Sequence, residues 1–498
     1  MHEKQDQFTI LSRIAMENTS SLSPLQRFFK LLSLDKKEIY YVYMYAIFAG
    51  LINLALPLGV QAIIGLIAGG AVSASLIMLV VIVTSATALS GLLVIMQLTV
   101  TESIQRRVFA RSAFEFAYRI PRLRRSALTK HYPPELVNRF FDTLSIQKGL
   151  PKILMDFSTS VLNIIFGLVL ISFYHPFFAF FGLALLFILV MIFRLTGPGG
   201  LQTSLKESKY KYRVAHWLEE MARSLNTFKL AGNTPLALNN TDGLVCNYLD
   251  NRKKHFRILI TQYGSIVGFK TLITASLLLL GSFLVIDNQI NIGQFVAAEI
   301  VVILIMSSVE KLILSMDTIY DTLTGLEKIG YVTDLPIEDE GGVEFEEIDT
   351  DKGMSIRVQN LNFKYEDAEM PTLKDISLDI EPGEKISIVG YNGSGKSTFM
   401  QLIAGLYSDF QGNISYNGIP FRSLNLESLR RNIGDTSLQE NIFDGTIYEN
   451  ISLGNPDIKL EDVMWAAKQV GLEDFVQRLP RGFDTHLKPE GKNVPNSV

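Results

Sequence analysis

The stretch Lys385–Leu406, KISIVGYNGSGKSTFMQLIAGL, decides how the rest of the chain is read. Its opening residues, Lys385–Val389, are apolar and β-type and predict a strand, while Phe399–Leu406 predicts a helix. Between them, Gly390-Tyr391-Asn392-Gly393-Ser394-Gly395-Lys396-Ser397-Thr398 matches G-x-x-x-x-G-K-[S/T], in the strand–loop–helix setting the motif needs. Glycines let the backbone fold tightly, so that successive N–H groups face phosphate oxygens. The start of the helix adds the positive end of its dipole. Lys396 is placed to reach the β- and γ-phosphates, and the Ser397 hydroxyl to sit on Mg2+. Residues Gly390 to Thr398 are therefore the candidate nucleotide contacts. Alone, such a loop means nucleotide binding, which kinases, GTPases and transport ATPases share.

Upstream of the loop, Ser355–Val358 and Leu373–Ile380 read as further strands, and the acidic run Leu335–Gly353 reads as a solvated linker. Before that the character changes. A bilayer crossing takes about 20 mostly apolar residues. Six runs qualify: Tyr40–Leu66, Ala74–Leu98, Leu154–Phe173, Phe177–Phe193, Ile260–Ile286 and Ile292–Leu314. The 498 residues are 48% hydrophobic and 19% charged, a balance suited to a chain that is part membrane and part soluble. The single cysteine, Cys246, excludes an internal disulfide framework and a cysteine metal site. The polar, mixed-charge Met1–Ser33 lacks the pattern of a cleavable signal, so the first span is expected to direct insertion.

The connections between spans set the orientation. Those after the first, third and fifth spans are short, Ile67–Ser73, Tyr174–Pro176 and Asp287–Asn291, with Asp287 their only full charge. Those after the second and fourth are long and basic, carrying Arg106, Arg107, Arg111, Arg119, Arg122, Arg124 and Arg125, then Lys206, Lys209, Lys211 and Arg213. Positive charge collects on the cytosolic side. The long loops and both termini are thus expected in the cytosol of a multi-pass protein of the cytoplasmic (inner) membrane. Thr203–Leu230, without Pro or Gly, is expected to be one continuous helix that carries motion between membrane and cytosol.

From about Leu25 to its end, the chain resembles the ABC transporter family, specifically exporters with a six-span membrane domain fused ahead of the ATPase domain. The residues that carry the resemblance are Phe363-Lys364-Tyr365, Leu373-Lys374-Asp375-Ile376-Ser377-Leu378, Gly383-Glu384-Lys385 and the phosphate loop. Gly412-Asn413-Ile414, Asn417-Gly418 and Leu426-Glu427-Ser428-Leu429-Arg430-Arg431-Asn432-Ile433-Gly434 continue it. It implies a multi-domain fold: an all-α six-helix transmembrane domain followed by a partial P-loop α/β ABC ATPase domain. The divisions it suggests are a cytosolic N-terminal segment 1–38, a transmembrane domain 39–334, an acidic linker 335–353 and an incomplete ATP-binding domain 354–498. It also implies that Tyr365 stacks on adenine, that ATP and Mg2+ are the cofactors, and that a second subunit, homo- or heteromeric, completes each site.

The chain departs from the family pattern in two places. The family's glutamine, which touches Mg2+ and the attacking water, aligns without gaps to Leu438; a one-residue adjustment gives Gln439 that catalytic and metal role. The chain ends at Val498, and Val494-Pro495-Asn496-Ser497-Val498 does not match the Leu-Ser-Gly-Gly-Gln signature. The Asp-Glu strand end is missing too, and His486 comes too early for the switch histidine. A gene fragment is the expected cause. As it stands, the sequence predicts ATP binding without the parts that hydrolyse it.

Within the spans, Lys270 and Glu299 are charged residues that call for a reason. Either they mark a cargo path or pair across the bundle interior, or they sit beside water in a wide cavity. Glu310 and Lys311 come late enough in the sixth span to lie near the interface. The function expected is ATP-driven export of a peptide, protein or small amphipathic molecule, similar to bacterial peptide, bacteriocin and toxin secretion exporters. No peptidase domain precedes the first span, so cargo processing is not expected. The alternative is a non-hydrolysing ATP-binding subunit that regulates or pairs with an active transporter. The lipid bilayer and a periplasmic adaptor are the remaining expected partners; nucleic acid is not.

Overall fold

The computed structural model describes residues 22–69, 74–129, 131–232, 234–345, 353–436 and 442–495. The chain divides into two compact units: Met1–Glu338 with Lys364–Pro371, and Asp339–Phe363 with Thr372–Val498.

The first unit is helical. In chain order its helices are α1 (Pro24–Ser33), α2 (Lys36–Asn53), α3 (Ala55–Ala68), α4 (Ala74–Arg119), α5 (Pro133–Asn138), α6 (Asp142–Pro151), α7 (Ser158–Ser172), α8 (Pro176–Arg223), α9 (Leu225–Leu230), α10 (Leu236–Ile286) and α11 (Ile292–Thr333). Ser23 starts α1 with a capping box, its hydroxyl accepting the Gln26 N–H while the Gln26 side chain accepts the Ser23 N–H. Arg27 of α1 then binds Asp334 and Glu327, which anchors α1 to the end of α11.

Among the described residues, six helical segments are long and apolar enough to cross a membrane. The first is two helices, α2 and α3, meeting at Leu54. Pro57 has no N–H to offer the Asn53 carbonyl, so the ladder breaks there. The third begins as α6, passes through a π-helical turn at Lys152–Phe157 and continues as α7. Pro151 withholds its N–H from Gln147 in the same way, and the wider turn takes up the mismatch. The last three spans lie in helices of 48, 51 and 42 residues. At 1.5 Å per residue these run roughly 63–77 Å, well beyond a hydrocarbon core of about 30 Å. The helix expected to continue from Thr203 to Leu230 instead stops at Arg223 and resumes at Leu225 after Ser224. Ser224, Asn226 and Thr227 are all weak helix formers.

The sixth span is the centre of the bundle. Half of its most apolar window is buried, against 6% for that of α4. Val301, Ile305, Val309 and Leu312 of α11 pack with Ile164, Leu168 and Ile171 of α7, Leu185 of α8, and Ile266 and Ile273 of α10. Small residues let the helices close up: a Cβ on Gly167 of α7 would stand 2.8 Å from Ile305, and one on Gly149 of α6 would meet Thr322 at 1.8 Å. The outward sides of the spans carry Ile77, Met78, Ile95, Phe180, Leu183 and Leu279, all highly exposed, the surface that hydrocarbon covers.

The second unit holds a four-stranded antiparallel sheet, β1 (Ile356–Phe363), β2 (Leu373–Ile380), β3 (Gln411–Tyr416) and β4 (Ile419–Pro420), in the order β2-β1-β3-β4. Val358 faces Leu378 on one side and Ile414 on the other, which sets the register. Val358, Leu361, Ile414 and Tyr416 are buried from the sheet, as is Leu402 of helix α12 (Lys396–Ile403). Asn425 caps α13 (Leu426–Arg431), accepting N–H groups from Glu427 and Ser428. A smaller part follows. It contains β5 (Gly445–Thr446), α14 (Ile447–Ser452), α15 (Leu460–Gln469), α16 (Glu473–Gln477) and β6 (His486–Leu487), the last paired with β5. Ile447, Val476 and Leu487 are its buried centre.

The predicted strand Leu373–Ile380 is β2 residue for residue, and Ser355–Val358 lies at the start of the longer β1. Lys385–Val389 departs from its prediction: among the described residues it joins no ladder. Ile386 and Ile388 are about 40% exposed and Val389 is 86% exposed. β-type residues make a strand only where a neighbour takes up their N–H and C=O groups, and no described strand lies beside them.

Candidate nucleotide site

Residues Gly390–Thr398 fold as the sequence predicts for a loop that runs into a helix. The Ser394 N–H donates to the Tyr391 carbonyl at 3.1 Å, closing a turn, and α12 starts at Lys396. Gly393 and Gly395 have φ of +83° and +90°, values that side chains with a Cβ rarely adopt. Gly395 is needed for space as well: a Cβ there would lie 2.7 Å from Leu373 and 3.1 Å from the Thr372 carbonyl oxygen. The loop thus rests on the start of β2. Thr398, Phe399 and Leu402 are buried and anchor the first turns of α12.

Lys396 folds back across the loop, its Nζ donating to the carbonyls of Gly390 at 2.8 Å and Tyr391 at 2.9 Å. This places an ammonium group over the concave backbone, where a phosphate oxygen would compete with those carbonyls. Asn392 and Ser397 are exposed, and Tyr391 is 92% exposed. The exposed Ser397 hydroxyl, in the first turn of the helix, suits a Mg2+ ligand. Among the described residues no cluster of His, Cys, Asp and Glu could hold a metal by itself. A Mg2+ here would therefore complete its shell with phosphate and water oxygens, as that ion commonly does.

Tyr365 is half-buried in a turn after β1, where the Ala368 N–H donates to its carbonyl, and its segment Lys364–Pro371 groups with the first unit. Gln439 lies outside the described residues. Lys270 does not pair with Glu299. It binds Glu310 at 3.1 Å, and Tyr263 donates to the same carboxylate at 3.3 Å. Glu299 is half-buried and makes no ion pair among the described residues.

The sequence contained a signal for the Lys270 pairing. α10 and α11 are joined by a short hairpin, so residues equally far from it lie side by side. Lys270 is 16 residues before Ile286, Glu310 is 18 after Ile292, and Glu299 is only 7 after it. Both charged groups remain partly exposed, Lys270 by 49% and Glu310 by 32%, so the pair is at the surface of this bundle.

A six-span helical bundle combined with a glycine-rich phosphate loop defines a membrane protein with a nucleotide-binding domain. The comparisons specify which. The family description "ABC transporter transmembrane region" matches residues 39–309, and "ABC transporter" matches residues 373–487. The chain belongs to the ABC transporter family, and it is a multi-pass membrane protein.

Similar curated proteins include the alpha-hemolysin translocation ATP-binding protein HlyB of Escherichia coli, 29% identical over 280 residues. The leukotoxin export ATP-binding protein LtxB of Aggregatibacter actinomycetemcomitans is also 29% identical over 280 residues. Each alignment covers 56% of this chain and 39% of the relative, so the match spans about two-fifths of those proteins' length. Among solved structures, a bacterial Atm1-family ABC exporter with ATP bound superposes with a TM-score of 0.80. That likeness covers 93% of this chain and 82% of the other at 19% identity, and it establishes the fold.

Proposed function

We propose that this chain is the membrane-spanning and nucleotide-binding part of an ATP-driven exporter. The observation that carries this reading is the phosphate loop Gly390–Thr398, with Lys396 drawn across it, on a chain that also contains six membrane spans. ATP is the nucleotide, its phosphates held by the loop amides and Lys396, with Ser397 as a ligand to Mg2+. Bound Mg2+ would neutralise phosphate charge. Tyr365 is the residue for stacking on adenine, and Gln439 the one for orienting water. The export functions in the names of HlyB and LtxB favour a transporter over a purely regulatory subunit.

The remaining assignments follow from the same reading. The basic loops favour a cytosolic location for both termini, in a protein of the inner membrane. A second subunit would complete each nucleotide site, closing on ATP and opening the path outward. Cargo is a peptide, a protein or a small amphipathic molecule, and translocation of toxins by the relatives favours the first two. A periplasmic adaptor fits the same comparison. Glu299 and Lys270 are the charges proposed along the cargo path, Lys270 being paired with Glu310.

The test is equilibrium binding of a fluorescent ATP analogue with Mg2+ to the full chain in nanodiscs. A charge-assisted hydrogen bond is worth about 1.5–3 kcal/mol, so Lys396→Ala should weaken binding about 10- to 150-fold. Equal affinity of the variant and the wild type would overturn the assignment of the site.

A further inference from the structure

Two segments that leave the long helices α4 and α11 lie side by side. The turn after α4 runs through Arg122-Leu123-Arg124, and the chain leaving α11 runs through Leu335-Pro336-Ile337-Glu338. Leu123 and Ile337 face each other as an antiparallel pair. The Arg124 N–H donates to the Pro336 carbonyl at 3.0 Å, and the Glu338 N–H donates to the Arg122 carbonyl at 2.8 Å. These bonds flank Leu123 and Ile337 without joining them directly, which is the closer of the two antiparallel pairings. Pro336 has no N–H to return, and the Arg124 carbonyl accepts the Ala127 N–H at 3.0 Å instead. The Ile337 carbonyl accepts Nε of Arg124 at 3.0 Å.

Side chains fasten the same segment. Leu335 and Ile337 are two residues apart and so share one face. Both are half-buried against Phe116 of α4, Leu123, Leu136 of α5 and Val332 of α11, all four of them buried. Pro336 between them is exposed. One residue before the segment, Asp334 is held by Arg27 of α1. The run Leu335–Gly353 reads as a solvated linker by its acidic residues, but its first three residues include two apolar side chains that find a place in the helical unit. Two residues past Glu338 the chain is bound within the second unit. There Asn425 donates to the Glu340 carbonyl at 3.2 Å, and the Val343 N–H donates to the Ser423 carbonyl at 2.8 Å.

We infer that Leu335–Glu338 is a strap that fastens the end of α11 to the end of α4, so that movement of the chain between the units reaches both helices. A slack linker would absorb such movement or pass it to α11 alone. A segment held by two backbone bonds, a guanidinium and a shared apolar cluster passes it on to α4 as well. Arg119 lies 45 residues from Ala74, and Thr333 lies 41 from Ile292. These are roughly 68 and 62 Å along the helices, beyond a hydrocarbon core of about 30 Å, so the strap is on the aqueous side. The strap itself does not rest on the exporter reading, and its test needs no nucleotide.

The test uses the full chain in nanodiscs, with Cys246→Ser removing the native thiol. The first variant adds Leu123→Cys and Ile337→Cys. Cα atoms of such a pair stand about 4.5 Å apart, within the range that a disulfide accepts. Mild oxidation should join the two, recovered as one linked peptide by mass spectrometry. The register control pairs Leu123→Cys with Glu338→Cys, whose side chains point to opposite faces, and it should not link. Linking of both pairs would mean a slack chain, and linking of neither would mean no pairing; each result overturns the strap. The second variant is Glu338→Pro, which deletes the N–H that bonds Arg122. Loss of one such bond should speed hydrogen exchange of the Arg124 amide by roughly 2- to 13-fold. The last turns of α4, Phe116–Arg119, and of α11, 330–333, should exchange faster with it. Faster exchange at Arg124 with both helix ends unchanged would overturn the coupling. The cysteine pairs leave every backbone bond in place, so they decide the pairing even where Glu338→Pro does not fold.

Discussion

Replacing Gly200 by Ala adds one methyl group at the tightest contact between α8 and α11. The new Cβ would stand 2.3 Å from Cζ of Tyr320, 2.4 Å from its Cε2 and 2.6 Å from its hydroxyl oxygen. These atoms belong to a rigid ring, and Tyr320 is 2% exposed, so no free space is available for the ring to swing into. Either the ring tilts or the helices part. Overpacking of this kind costs about 1–3 kcal/mol. Tilting also breaks the 2.9 Å bond from Gln262 to the Tyr320 oxygen, adding about 0.5–1.5 kcal/mol. With about 1–2 °C per kcal/mol for a chain of this length, the midpoint of the full chain in detergent should fall by roughly 2–9 °C. Tyr320→Leu provides the control, since it removes the ring that the methyl strikes. The two substitutions together should then cost less than the sum of their separate effects, by about 0.5–3 kcal/mol. An unchanged midpoint for Gly200→Ala, or strict additivity in the double variant, would refute the close packing of α8 on α11 described above.

Two predictions concern the nucleotide unit. Tyr416 is fully buried and donates its hydroxyl to the Ile403 carbonyl at the end of α12. Tyr416→Phe leaves that carbonyl unsatisfied, and unfolding in urea should show a loss of about 1–3 kcal/mol; a loss below about 0.3 kcal/mol would contradict it. At the start of α14, the Thr446 N–H and hydroxyl hold the Glu449 carboxyl below its ordinary value of 4.5. Its folded-state value being depressed, the carboxylate's contribution is complete above about pH 4.5 and fades as pH falls through the folded value. Hydrogen-exchange protection of the α14 amides should therefore decline on acidification in wild type and stay flat in Glu449→Gln. Parallel declines in the two proteins would rule out Glu449 as the cause.

Much of the architecture was legible in residue order because its causes are local. Six runs of about 20 apolar residues can only be met by burial in lipid, whatever lies beside them. The phosphate loop was equally legible. Gly393 and Gly395 occupy backbone conformations that glycine permits, and α12 follows wherever those residues appear in that spacing. The same locality explains the exact match of β2 to the alternating Leu373–Ile380.

What only the tertiary structure decided were relations between distant residues. Counting from the hairpin favours Glu310 over Glu299 as the partner of Lys270, but the contact itself depended on how α10 and α11 pack. Lys385–Val389 has the composition of a strand, yet composition cannot supply a neighbour to accept and donate its backbone bonds. His255 is one histidine in a polar stretch of sequence. Thr203 lies 52 positions before it and Asp317 62 after, and packing of three helices turned it into a buried ring within hydrogen-bond reach of both. Apolar patterning and glycine geometry act within a few residues and are written in the sequence. Charge pairing, strand pairing and buried hydrogen bonds act across space, so they had to wait for the fold.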